Sequence, residues 1–179
     1  DYESSYQILK NIVSGDLSIS TDLRHTMEAA YFSLSEMFLY QNKYIEAFDI
    51  LSVLNEKMKA QKRQNTAFAG SIQNNLAEAY SGMGQKLEAI EIARKSIHEK
   101  SGALTPREMA NSLSNIGQYF IHLGQLDSAL HYCQKAYFIQ DTLFGPYSYQ
   151  KNISYIDLSH IYAELKIKDS FNYFVNKYI

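Results

Sequence analysis

The sequence predicts an all-α protein in which antiparallel helix pairs stack side by side as a solenoid. The chain of 179 residues holds only two prolines and eight glycines, too few for a turn-dense β-protein. Apolar residues recur at helical spacing between short breaks. The same position after each break falls at Ser5, Ala47, Ala89, Ala129 and Phe171, in steps of 42, 42, 40 and 42 residues. This near-constant period is typical of a helical solenoid, because one hairpin cannot bury its apolar face alone.

Composition excludes several other classes. A net charge of −2 gives no basic face for nucleic acid. No apolar run reaches the roughly 18 residues that a membrane-spanning helix needs. Cys133 is the only cysteine, so the chain has neither an internal disulfide nor a cysteine-based zinc site, and one thiol does not assign a compartment. Because the sequence begins without methionine and in mid-pattern, we expect it to be a fragment of a longer protein.

The first half of the chain supplies an orphan helix and two pairs. Residues 1–14 are predicted to form the second helix of a hairpin whose first helix is missing. The next pair is predicted at 22–41 and 43–60, with Asn42 at its turn. The clearest pair lies at 71–100, where Gly82 and Gly84 mark the join and the first helix is expected to begin near Asn65.

The second half supplies two more pairs. Thr105, Pro106 and Glu108 predict a helix start with a capping box. Gly124 predicts the turn of that pair, and Gly145-Pro146 the last break. The final pair turns at Lys166. The predicted repeats are 22–63, 64–103, 104–144 and 146–179, which gives nine helices in one domain over 1–179.

The packing positions resemble those of the tetratricopeptide repeat (TPR) family. The matching residues are Leu34, Phe38, Tyr44 and Ala47; Leu76, Ala77, Tyr80, Gly84 and Ala89; and Ile116, Gly117, Phe120, Gly124, Ala129 and Ala136. The departures are Ser35, Asn42, Lys86, Lys166 and Phe171. The period exceeds the standard of roughly 34 residues, and is similar to the long variant of kinesin light chains and peptide-sensing bacterial regulators. The resemblance covers nearly the whole chain and implies a right-handed superhelix.

The resemblance also implies a concave groove, lined by the first helix of each pair, that binds a protein or peptide. Carried over by position, the groove residues are Ser33, Glu36, Tyr40, Asn74, Asn75, Glu78, Asn115, Gln118, His122, Asp157 and His160, with Phe32 as a further candidate. Asn75 and Asn115 stand out, because an amide offers both a donor and an acceptor to a peptide backbone. The alternative is that these asparagines only cap or bridge neighbouring helices.

The family's clamp for a C-terminal carboxylate also needs basic residues on the groove helices. No basic residue matches there, since Arg107 lies too near its helix start. We therefore disfavour binding of chaperone tails.

The histidines, the cysteine and the clustered basic residues are interpreted as packing or solvent-exposed groups rather than as a reactive site. None of the five histidines forms an H-x-x-x-H pair, so no metal site is expected. Cys133 takes a buried packing position, and we interpret it as inert. His122 and His160 lie on the predicted groove, where they either tune binding with pH or are simply surface imidazoles. The basic cluster Lys57, Lys59, Lys62 and Arg63 is interpreted as a solvated helix end rather than a phosphate or membrane contact.

These observations favour a non-catalytic protein- or peptide-binding scaffold without cofactor or metal. The alternative is a sensory or regulatory segment of a bacterial membrane-linked signalling protein or transcriptional regulator. We expect no direct nucleic-acid binding and no membrane insertion by this segment. Both ends are predicted to expose apolar surface, the last helix through Phe171, Phe174 and Tyr178, so end-to-end homodimers are also expected.

Overall fold

The computed structural model describes residues 21–64, 66–99, 104–145 and 148–178, and the single positions 4, 7, 8 and 11. Eight α-helices and no strand lie in the stretches from residue 21 onward. They are α1 (Thr21–Tyr40), α2 (Tyr44–Ala60), α3 (Ala67–Gly82), α4 (Lys86–Glu99), α5 (Pro106–His122), α6 (Leu126–Leu143), α7 (Tyr149–Glu164) and α8 (Lys168–Tyr178). Short turns join them as pairs, which confirms the predicted all-α, TPR-like architecture.

The chain divides into two compact units, Asp1–Ile92 and Ala93–Ile179, and α4 contributes to both. In unit 1, α1, α2 and α3 enclose a core that includes Ile50, Leu54 and Ile72. In unit 2, α5 to α8 bury Ile116 and Leu158 among others. Of the predicted orphan helix, positions 4, 7, 8 and 11 are helical, and the rest lies outside the described residues. The repeat limits and the single-domain assignment stay predictions.

The turn inside each pair has the same backbone form. One residue per turn takes a positive φ: Asn42 (59°), Gly84 (86°), Gly124 (69°) and Lys166 (58°). The N–H of the following residue then donates to a carbonyl five residues earlier, at 2.8 Å from Lys43 and 3.0 Å from Gln125. This left-handed cap satisfies carbonyls that the helix end leaves unpaired. All four predicted turn positions are confirmed.

The repeated small positions are also equivalent in the structure. Ala47, Ala89 and Ala129 are each fully buried. Each lies in the first turn of a second helix, where its N–H donates to the residue four positions earlier at 3.0–3.1 Å. Phe171 occupies the same backbone position with an N–H to Ile167 bond of 3.0 Å, but it is only half-buried. The period found in the sequence therefore marks structurally matching sites.

Capping side chains decide where several helices begin. The predicted capping box is present: the Glu108 N–H donates to Thr105 Oγ1 (3.3 Å), and the Thr105 N–H donates to Glu108 Oε2 (2.8 Å). Helix α3 begins at Ala67, two residues after the predicted position, because the Thr66 hydroxyl caps it by accepting from the Ala69 N–H.

Two sequence interpretations are wrong. Lys57 is not solvated: it is 2% exposed and pairs with Glu28, which also accepts from Arg63 Nη1 at 3.1 Å. The amphipathic pattern of α2 turns this lysine inward, where only a buried carboxylate makes its charge tolerable. Phe174 is buried rather than exposed, because its ring stacks on Tyr162 at 5.6 Å. The side chain of Tyr178 lies outside the described residues, and homodimerisation stays a prediction.

Candidate functional site

The predicted groove residues all lie on the first helix of a pair. In unit 1 we call them the unit 1 face: Ser33, Glu36 and Tyr40 on α1, and Asn74, Asn75 and Glu78 on α3. In unit 2 we call them the unit 2 face: Asn115, Gln118 and His122 on α5, and Asp157 and His160 on α7. None of these eleven side chains is buried in the structure. Each is therefore open, wholly or in part, to a ligand from solvent.

On the unit 1 face, the structure brings two carboxylates into electrostatic contact. The pKa of Glu78 is raised above its ordinary value, first by desolvation and second by the negative charge of Glu36. Neither carboxylate forms an ion pair with a basic group of the described chain. Negative charge on this face is thus left without a cationic partner.

Asn75 adds an unused donor to the same face. Its Nδ2 atom is buried and has no hydrogen-bond partner among the described residues. A buried amide nitrogen without an acceptor costs free energy, which a ligand carbonyl would recover. Ser33 is exposed, and Tyr40 is 90% exposed at the last position of α1.

On the unit 2 face, a hydrogen bond joins α5 to α7, the first helices of the two pairs. Gln118 Nε2 on α5 donates to Asp157 Oδ2 on α7 at 3.2 Å. Desolvation raises the pKa of Asp157 to about 6, although the Gln118 bond and the His160 charge both act to lower it. The carboxylate is therefore held in a poorly hydrated position with a single donor from the described protein.

The two face histidines are solvent-exposed, as surface imidazoles are. His122 ends α5, and His160 lies 3.9 Å from the Glu164 carboxylate. Glu164 is a charged neighbour that the sequence analysis missed. The i,i+4 spacing of His160 and Glu164 on one helix is the signal that could have found it.

Cys133 and Arg107, considered above for reactive or basic chemistry, both lie in unit 2. Cys133 is buried, and its thiol pKa is raised by desolvation and by the Asp157 charge, which disfavours the nucleophilic thiolate form. The described residues contain no group of three His, Cys, Asp or Glu side chains able to hold a metal ion. The Arg107 guanidinium lies over the Phe144 ring at 4.6 Å.

Membrane insertion by a helix finds no candidate in the described part of the chain. None of its helices combines the length and the apolar character that crossing a bilayer requires.

Comparison with known proteins identifies the repeat type. Models of the tetratricopeptide repeat match residues 70–98, which cover most of α3 and of α4, and residues 109–146, which cover most of α5 and all of α6. No curated protein matches the sequence.

Two solved structures are similar in fold. BtubC (BKLC) from P. vanneervenii has a TM-score of 0.77 and 13% identity over 99% of this chain and 72% of its own. The nearly identical TPR-like repeats of a kinesin light chain-like protein from Podosopora anserina have a TM-score of 0.70. The match has 18% identity over 79% of this chain and 69% of that protein's chain. Residues 70–98 and 109–146 are thus matched as tetratricopeptide repeats, and the chain shares its fold with TPR-like helical repeat proteins.

Proposed function

We propose that this chain is a non-catalytic protein-interaction module that binds peptide segments of a partner on the unit 1 and unit 2 faces. Tetratricopeptide repeats generally mediate protein interactions and typically act as scaffolds without catalysis. The observation that carries the proposal is the state of Asp157, a half-buried, desolvated carboxylate to which one side-chain donor, Gln118, is bonded among the described residues.

The raised pKa of Asp157 implies that its charged form costs the fold free energy that a neutral residue would not cost. The equivalent position in the three earlier first helices holds Ser33, Asn75 and Asn115. An asparagine at 157 would still accept the Gln118 bond and would need no desolvation of a charge. A charge kept at this cost is explained by a partner that pairs with it.

The unit 1 face supports the same kind of partner. Glu36 and Glu78 repel each other and form no ion pair with the described residues, so a lysine or arginine of the ligand would relieve that repulsion. Asn75 is half-buried as a residue, and a rotation of its side chain that exposes Nδ2 would let it donate to a peptide carbonyl. The ligand class that fits both faces is an extended segment with exposed backbone groups and at least one basic side chain.

The test is selection from a random library of 12-residue peptides displayed on phage, panned against the wild-type chain. We expect enrichment of lysine and arginine over the unselected library. In solution, Asp157→Asn should weaken binding of a labelled, enriched peptide by about tenfold or more, the value of one charged hydrogen bond. Glu36→Gln with Glu78→Gln, and Asn75→Ala with Asn115→Ala, test the other contacts in the same assay.

Asp127→Asn is the matched control, because it removes an exposed carboxylate from the second helix α6. It should leave affinity within about twofold of wild type. Selection without enrichment of any sequence, or equal affinities for Asp157→Asn and wild type, would refute the assignment of these faces.

A further inference from the structure

A second surface in unit 2 lies apart from the first-helix faces. It is an open groove of about 490 Å³ between the C-terminal part of α4, α5 and α6. Met109 and Leu113 of α5 line it together with Ile97 of α4 and Phe138 of α6. None of the eleven face residues lines this groove. Its volume is within the range of sites that hold compact apolar ligands.

Phe138 is the unusual member of this groove. It is 72% exposed, although it is one of the largest apolar side chains of α6. A large aromatic side chain left in water beside other apolar groups marks a surface that gains from being covered.

Among the described residues that line the groove, the side chain with a formal charge is basic. Lys135 and His131 of α6 line it, and no Asp or Glu is among the lining residues. Arg94, three residues before Ile97 on α4, lies over the Tyr132 ring at 5.9 Å. Asp141, one turn beyond Phe138, forms an ion pair with Lys151, whose Nζ donates to Asp141 Oδ1 at 2.6 Å.

We propose that this groove docks an acidic amphipathic segment of a partner protein. One or two large apolar side chains of the segment cover Phe138 and contact Leu113 and Met109, while flanking carboxylates pair with Lys135. Charge complementarity selects this occupant, because an apolar floor with a cationic rim favours an apolar stripe bordered by Asp or Glu. The proposal is independent of the faces on the first helices, which favour a basic ligand.

The probes are two labelled 14-residue helical peptides with leucine and phenylalanine on one side. One carries glutamates on its other side, and its partner carries lysines in their place. Fluorescence anisotropy measures affinity, and methyl NMR of the chain reports contact at Ile97, Met109 and Leu113. We expect the acidic peptide to bind, to shift these methyl signals, and to bind at least about tenfold more tightly than the lysine peptide.

Charge reversal supplies the sharper comparison. Lys135→Glu should lower affinity for the acidic peptide by about tenfold and raise that for the lysine peptide. Lys168→Glu, which reverses an exposed lysine outside the groove, should change either affinity by less than about twofold. Phe138→Ser should abolish the methyl shifts, and circular dichroism verifies that each variant stays folded.

Several outcomes would overturn the proposal. These are unshifted groove methyl signals, equal binding of the two peptides, or equal effects of Lys135→Glu and Lys168→Glu. Methyl shifts produced by anionic lipid vesicles but by neither peptide would assign the groove to a membrane surface. A Phe138-dependent dimer that excludes both peptides would assign it to a second copy of the chain.

Discussion

Gly117 on α5 lies directly against Cys133 on α6, so closely that a Cβ atom at 117 would overlap the thiol sulfur. Both residues are buried. The missing side chain at 117 is thus what lets the two helices of this pair approach. In the preceding repeat the corresponding sequence positions hold Ala77 and Ala93.

Gly117→Ala should destabilise unit 2 by about 1–2 kcal/mol. Overpacking costs about 1–3 kcal/mol, and the better helix propensity of alanine returns up to about 1 kcal/mol. The free energy of unfolding would be measured by urea denaturation followed by circular dichroism, since the chain has no tryptophan.

The double variant Gly117→Ala with Cys133→Ala tests the cause. It recreates the alanine pair of the preceding repeat and should be at least as stable as Cys133→Ala alone. If Gly117→Ala costs the same with and without the sulfur, the contact does not explain the glycine.

Asp157→Asn should stabilise the fold at neutral pH. The pKa of Asp157 rises from 3.8 to about 6 on folding, so the folded state holds the proton more tightly. The contribution of Asp157 to the free energy of unfolding is therefore highest below pH 3.8 and falls as the pH rises through 6. Removing the charge should add roughly 2–3 kcal/mol at pH 7.5 and little near pH 4.

Urea denaturation of wild type and Asp157→Asn at both pH values makes the comparison. An equal difference at pH 7.5 and pH 4 would show that the charge is not its cause. A less stable variant at pH 7.5 would mean that the carboxylate stabilises the fold, and would remove the main support for a binding role.

Lys166→Gly should stabilise the last helix pair by about 0.5–1 kcal/mol. Lys166 has a φ of 58°, which strains any residue with a Cβ atom, whereas glycine occupies the matching turns at 84 and 124. Lys168→Gly, in the first turn of α8, should instead destabilise because it only loses helix propensity. Thermal unfolding curves in which both variants shift the same way would contradict this account.

Glu28 and Lys57 form a buried ion pair that links α1 to α2. Glu28→Ala leaves Lys57 charged and unpaired in the core, and should cost about 3–5 kcal/mol. The variant Glu28→Leu with Lys57→Met replaces both charges by apolar groups and should recover most of that loss. A double variant no more stable than Glu28→Ala would show that the pair itself, rather than its completeness, stabilises unit 1.

The sequence alone determined the helix pairs, their turns at Asn42, Gly84, Gly124 and Lys166, and the buried alanines of the second helices. These features depend on neighbours three to five residues away, through capping, left-handed turn residues and helical periodicity. The placement of the candidate face residues on first helices followed from the same register.

Only the tertiary structure decided which polar groups meet. The Gln118–Asp157 bond joins residues 39 positions apart, and the Arg63–Glu28 contact joins residues 35 apart. Helical periodicity states which side of a helix is apolar, but it does not say which charge on the next helix lies opposite. That depends on how side chains from distant segments pack together, and it turned Lys57 from a predicted surface group into a core residue and Phe138 into the exposed wall of a groove.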